Sequence, residues 1–497
     1  MSSEARALRG QIREWRNGRA EISMAEALGD AYIALFATVM LGAMGFNVVR
    51  QVRVEATAAC STNACEDARL ILPWVFALGI VAATLLVARL FGPSLASPAE
   101  GSWLLASPVD RSALLRPRLI AAAVVSLIGG ALLGAVDVTL GGFGVGPAVD
   151  FGVIIAAAAM CAVMFASIDQ ARELRVARLV TWTLGAVVWA ALVLLAAGRA
   201  PTNLPQTSTL SIPAIVLAGA VVILAGVLLW RAIGGLGLMH ADRLTSGGAL
   251  LSNLSGAFYS LDTLLVYDLL MSRRWRERAT VRPVRGGPAG AWALIWRDFV
   301  RLRRSAHTVL LLAAALVVPY VAAELDLGKA VMLIGALTGF LAGLGLCAGL
   351  RVLARTPGLI RCFPMSGPLV RAAGLVVPAG VLILWGLATA PAFHHALAPI
   401  PWSTSAGVGL AVGMASVASV ARWIMAKPSD YSAPLVTSPA GAIPPSLFGN
   451  LFRGLDVLIL VTAPMLLIHS PGGGANISML LSEAVIAILL LRKGPRS

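Results

Sequence analysis

The sequence predicts an all-α integral membrane protein of about twelve transmembrane helices, built as two six-helix repeats with both termini in the cytoplasm. Composition, the spacing of apolar runs and the one-sided placement of Lys and Arg carry that expectation. Hydrophobic residues make up 58% of the 497 positions and charged residues 13%, and mean hydropathy is +0.84. Soluble domains are about a quarter charged, so this composition suits a lipid solvent. A span needs roughly 20 mostly apolar residues. Twelve stretches qualify, near 28–49, 70–92, 119–140, 148–168, 179–198, 213–233, 308–325, 329–350, 372–392, 403–421, 455–470 and 476–491. Lipid cannot satisfy a bare backbone and no period-2 alternation points to a barrel, so these stretches are expected to be helices.

Orientation follows from charge. The net charge of +15 would also suit a nucleic-acid binder, but the basic residues are not spread as such a partner requires. With the N-terminus inside, the outer loops hold Arg50, Arg53, Arg69, Arg199 and Lys329 of the 39 basic residues. That asymmetry predicts inner loops facing anionic lipid in the cell membrane, and no nucleic acid. Met1 to Ala20 holds five arginines and no central apolar run, so the first span is expected to act as an uncleaved start signal.

Taken in order, each half is expected to open with an amphipathic helix in the headgroup region. Leu8, Ile12 and Trp15 share one face in the first. In the second, Trp292, Ile295, Trp296 and Phe299 fall at i, i+3, i+4 and i+7, with Arg297, Asp298, Arg301 and Arg304 opposite. The division expected is 1–233 for the first half, 234–290 for a cytoplasmic linker and 291–497 for the second half. Within the linker, Leu250, Leu254, Phe258, Leu261 and Leu265 repeat at helical spacing, and a basic run follows from Arg273. That run reads as an ordinary inner-side linker, with anionic-lipid contact as the alternative.

Between the second and third spans of each half lies a proline-containing elbow. The first is Trp103 to Arg118, with Pro108, Asp110, Arg111, Arg116 and Arg118; the second runs from Leu359 to Arg371, with Pro364. Aligning Pro108 with Pro364 brings Leu119 opposite Leu375. Proline breaks a helix and fixes a bend, so each elbow reads as a lever joined to a membrane helix, with a plain connecting turn as the alternative.

The segment Trp296-Arg-Asp-Phe-Val-Arg-Leu-Arg-Arg304 before a six-helix unit, together with Leu105-Ala-Ser-Pro-Val-Asp-Arg111, resembles the type-2 ATP-binding-cassette exporter permeases. The second elbow, Phe363-Pro-Met-Ser-Gly367, lacks the turn arginine. The resemblance implies six helices per half, a fused pair of permease halves, and elbows that dock two copies of a separate ATPase. It implies export of an unidentified lipid, peptide or natural product, with no cofactor and no catalytic residue in this chain. A twelve-helix secondary carrier and a non-transporting scaffold are the alternatives.

Other chemistry is missing from the sequence. There is no Gly-x-x-x-x-Gly-Lys-Ser/Thr loop, zinc helix or nucleophile elbow. His394-His395 reads as an extended pair that points two ways, so no metal site is expected. Asp137 and Asp150 are placed at outer helix ends within reach of water. Cys60 and Cys65 share the first outer loop, where a disulfide is expected.

Overall fold

The computed structural model describes residues 10–11, 14, 28, 32, 40, 42–43, 47, 63–103, 110–172, 176–199, 212–259, 262–276, 287–426, 436–438, 441–443, 449–450 and 452–492. The chain divides into two compact units, Met1–Ala191 with Ala200–Gly256, and Leu192–Arg199 with Ala257–Ser497.

In the first unit the elements are α1 (Asn63–Phe91), α2 (Pro98–Trp103), α3 (Arg111–Leu140), α4 (Val145–Arg172), α5 (Val176–Ala196, to Ala191), α6 (Ile212–Gly235), a 3-10 turn at Leu236–Leu238, and α7 (Ala241–Tyr259, to Gly256). The apolar window of α4 is 67% buried, the highest share in this unit, because α1, α3 and α6 all pack against it. Glycine sets the α3–α4 crossing: a Cβ at Gly130 would come within 2.8 Å of Ala156 Cα. A larger residue there would part the backbones. Helix α7 lies on the chain between α1 and α2, where Ala96 N donates to Leu244 O at 3.2 Å.

The second unit holds α8 (Thr263–Arg276), α9 (Ala291–Arg304), α10 (Ala306–Ala315), α11 (Val317–Glu324), α12 (Ala330–Gly343), α13 (Ala348–Arg355), α14 (Pro357–Arg361), α15 (Gly367–Ala388), α16 (Ala390–Ala396), α17 (Trp402–Ile424), α18 (Leu455–Leu467) and α19 (Pro471–Leu491). A short antiparallel ladder pairs Val436–Ser438 with Gly441–Ile443. Here α17 is the central helix, its apolar window 72% buried against α12, α15, α18 and α19. The α15–α17 crossing again runs through glycine, since a Cβ at Gly386 would strike Gly409 O and lie 2.7 Å from Gly413 Cα. Gly386 follows Gly130 by the same interval that separates Pro364 from Pro108.

Among the described residues nine helices are long and apolar enough to cross a membrane, or ten if α12 and α13, bent by 69°, form one broken span. The chain is a multi-pass, α-helical membrane protein. The expected run at 455–470 is the 13-residue α18, and the run at 28–49 lies almost wholly outside the described residues. Several helices begin before their apolar runs. Helix α3 starts at Arg111, not near 119, because Asp110 caps it by accepting from Ser112 N at 3.0 Å and the basic turn continues straight into the span.

Candidate functional site

The densest polar cluster in the second unit surrounds the break between α12 and α13. Two carbonyls released there are met by side chains from outside the spans. Tyr267 on α8 donates its hydroxyl to Leu344 O at 3.2 Å, and Arg301 on α9 donates to Leu346 O at 2.5 Å. A helix end in an apolar setting must find such partners.

Arg351, one turn into α13, is 6% exposed. Its Nη2 meets Asp268 Oδ1 at 2.5 Å and donates to Leu264 O at 2.8 Å. The guanidinium also lies 4.4 Å from the Tyr267 ring and 5.4 Å from the Trp423 ring, and those two rings meet edge to face. Arg355, four residues on, takes the other Asp268 oxygen at 3.1 Å. Helices α8, α13 and α17 are thereby tied at one point.

Helix α9 is tied to the same break. Asp298, 4% exposed, sits 3.7 Å from Arg301, and burial pushes its carboxyl above the ordinary range while Arg301 and Arg297 pull it back. It lies against the start of α13 so closely that a Cβ at Gly349 would strike Asp298 Oδ1. Leu294 of α9, Leu353 of α13, and Val370 and Ala373 of α15 form one apolar cluster, with Phe363 and Met365 of the elbow packed on it. A push on α9 therefore reaches the second and third spans together.

The sequence-predicted residues fall as follows. Trp292, Trp296 and Phe299 are exposed, as an interfacial face requires; of the charged residues opposite, Asp298 and Arg301 are turned onto the protein while Arg297 and Arg304 are exposed. Pro364 lies exposed in a bend. Arg371 donates to Leu490 O at 3.2 Å and Arg492 O at 2.6 Å, capping the end of α19. In the first unit, Arg118 pairs with Glu100 at 2.5 Å and donates to Leu95 O at 2.6 Å. Burial acts to raise the Glu100 carboxyl, but hydrogen bonds from Arg118 and Ser97 hold it below its ordinary value. Hydrogen bonding from Ser112 likewise holds Asp110 low. Arg111 is half-buried and Arg116 exposed. Leu119 and Leu375 are both buried. Cys65 is disulfide-bonded. Leu8, Ile12, Trp15, Cys60 and Pro108 lie outside the described residues.

Two expectations change. His394 and His395 are on helix α16, not in an extended segment, and His394 stacks on Trp402 at 4.1 Å. Asp137 is not freely hydrated, because its Oδ2 is shielded from solvent, with no hydrogen-bond partner among the described residues. Arg69 and Lys329, expected in outer loops, cap helix ends through Gly141 O at 2.5 Å and Ile468 O at 2.8 Å, Arg69 from within α1.

Residues 65–434, from α1 to beyond α17, match the profile described as "Family of unknown function (DUF6297)". The chain belongs to this family. No curated protein matches it. The matched region includes both elbows and the α12–α13 break, while the likeness to exporter permeases rests on the elbow and interfacial-helix motifs alone. Sequence reading missed Asp268, Arg351 and Arg355 as a group. Basic residues at i and i+4 near the end of an apolar run, with Gly343-Leu-Gly345 just before them, are the signal that marks a broken, charged helix.

Proposed function

We propose that this chain is the membrane subunit of an ATP-driven exporter, a fused pair of six-span permease halves that works with two copies of a separate ATPase in the cell membrane. The observation that carries the reading is the attachment of α9 to the broken second span, through Arg301 and Leu346 O at 2.5 Å. A helix outside the spans is thus bonded to the place where a span can bend. An ATPase pressing on α9 and the elbow would move α13 and α15 as one body and change the angle at residues 344–347. Since the chain holds no phosphate loop, the nucleotide chemistry belongs to a partner.

The duplication adds support. In each unit one central helix packs against several others, and its crossing with the third span uses Gly130 in one and Gly386 in the other. The twelve-span count, with both termini and the arginine-rich ends in the cytoplasm, is part of the proposal and follows the charge asymmetry.

The test is reconstitution in lipid nanodiscs with an ATP-binding-cassette ATPase from the same genome, taken first from any gene that adjoins this one. A stable complex whose ATP hydrolysis rises severalfold over that of the ATPase alone is expected. Failure to form a complex, together with unstimulated hydrolysis, overturns the reading. Substrate flux without any nucleotide points to a secondary carrier instead.

A further inference from the structure

The arginines at the α12–α13 break offer more donors than the protein uses. Among the described residues, Arg301 Nη1, Arg351 Nε and Arg351 Nη1 are buried with no acceptor in hydrogen-bonding reach, an uncommon state for buried donors. Arg351 keeps 8% of its side chain exposed. The two guanidiniums border one break. Arg301 donates to Leu346 O, Arg351 lies 4.4 Å from the ring of Tyr267, whose hydroxyl donates to Leu344 O, and a Cβ at Gly349 would lie 2.8 Å from Arg301 Nη1. The adjoining α13 N-terminus has Cys347 at its cap position and no side-chain cap, so its first N–H groups add a partial positive charge.

Charge points the same way. Arg301, Arg351 and Arg355 face the carboxylates Asp268 and Asp298, leaving one positive charge in excess. The neighbouring groups do not cancel it. Arg297 is exposed, Asp262 caps α8 by accepting from Leu264 N at 3.0 Å, and Arg422 pairs with Asp456 at 3.1 Å. An excess positive charge beside the buried Arg351 favours a bound counter-ion.

We propose that the break is a binding site for a phosphate-class oxyanion, carried by a lipid headgroup or free in solution and held by Arg301 Nη1 and the Nε and Nη1 groups of Arg351. A tetrahedral oxyanion accepts from two guanidiniums in different planes and from a helix N-terminus together, whereas a planar carboxylate serves one fork. A phosphodiester brings the one negative charge that the cluster lacks. Arg355 and Asp268, 35% and 36% exposed, form the open rim. The site stands independently of the transport reading.

The full chain, delipidated in dodecyl maltoside, is melted by intrinsic fluorescence while inorganic phosphate or dihexanoyl phosphatidylglycerol is titrated at constant ionic strength against chloride. A saturable rise in melting temperature with either probe is expected. Arg301→Lys, which keeps the charge but loses the fork, should weaken the apparent affinity by roughly tenfold or more. A rise with phosphatidylglycerol alone assigns the site to a lipid headgroup, and an equal rise with phosphate assigns it to the free ion. No saturable rise above chloride overturns the proposal. So does an undiminished rise in both Arg301→Lys and Arg351→Lys, provided each variant keeps a cooperative melt.

Discussion

Arg351 and Asp268 lie 2.5 Å apart, and that contact joins the helix after a broken span to a helix from the polar stretch between the two sets of spans. Asp268 also receives Arg355, so one carboxylate holds two successive turns of α13. The stretch expected to be a cytoplasmic linker is thus structural at this end. Its α8 helix seals the break through Tyr267 and clamps the helix beyond it through Asp268.

Removing one partner of this pair should cost more than removing both. Arg351→Gln leaves Asp268 with Arg355 and partial solvent in place of its buried partner. A loss of about 2–3 kcal/mol is expected, below the range for fully buried pairs because Asp268 keeps partial solvent access. Asp268→Asn on that background should restore part of it. A double-mutant cycle on chemical unfolding checks this, and strict additivity would show that the pair is not coupled.

Gly349→Ala tests how closely α9 sits on the break. The new Cβ would strike Asp298 Oδ1 and approach Arg301 Nη1, so α9 must shift, at a cost of about 1–3 kcal/mol. Gly358→Ala in α14 meets nothing within 4 Å and serves as the control. Equal melting temperatures for the two variants would mean that α9 is not seated there.

Much of this architecture was legible in the sequence, and the limits have physical causes. Apolar runs locate spans because lipid demands them, so the expected runs at 148–168 and 403–421 became the two central helices α4 and α17. Helix starts were misjudged because a basic turn such as Arg111 to Arg118 is helical without being apolar. The Ser97-Pro-Ala-Glu100 capping box, whose reciprocal bonds measure 2.9 and 3.2 Å, was missed because a polar helix start leaves no mark in an apolar run. The α9 pattern revealed an amphipathic helix but not its orientation. Amphipathicity says that two faces differ, and only tertiary packing showed Asp298 facing the protein and Trp292 facing outward. Asp268 and Arg351 are too distant in sequence for any periodicity to pair them.

The paired glycines make a test of the duplication. Gly130→Ala and Gly386→Ala each place a Cβ against the backbone of the following span, so both should lose about 1–3 kcal/mol. Gly129→Ala and Gly380→Ala, which meet nothing within 4 Å, should be neutral. Thermal melts of the four variants decide it, and a loss at only one crossing would break the equivalence.

Asp298 should make stability fall as pH rises. Burial raises its carboxyl pKa in the folded state, so the native protein binds the proton more tightly than the unfolded chain. That contribution is fully present below the ordinary carboxylate value and is lost as pH climbs through the raised one. Glu100 and Asp110, held low, slope the opposite way, so the useful quantity is the difference between Asp298→Asn and wild type. The variant should match wild type near pH 4 and melt higher at pH 7. A difference that is constant across that range would refute the assignment.

The two elbows should respond differently to charge reversal, because the structure gives their arginines different tasks. Arg116 is exposed, whereas Arg371 caps the final helix through Leu490 O and Arg492 O. If an ATPase docks at the elbows, Arg116→Glu should reduce stimulated hydrolysis severalfold while leaving the melting temperature unchanged. Arg371→Glu should lower stability by about 1 kcal/mol, the scale of a lost helix cap, with any change in coupling following the loss of fold. Hydrolysis and melting measured on the same nanodisc samples separate the two. An Arg116→Glu variant that melts early but couples normally would reverse the assignment and place the docking contact on the second elbow.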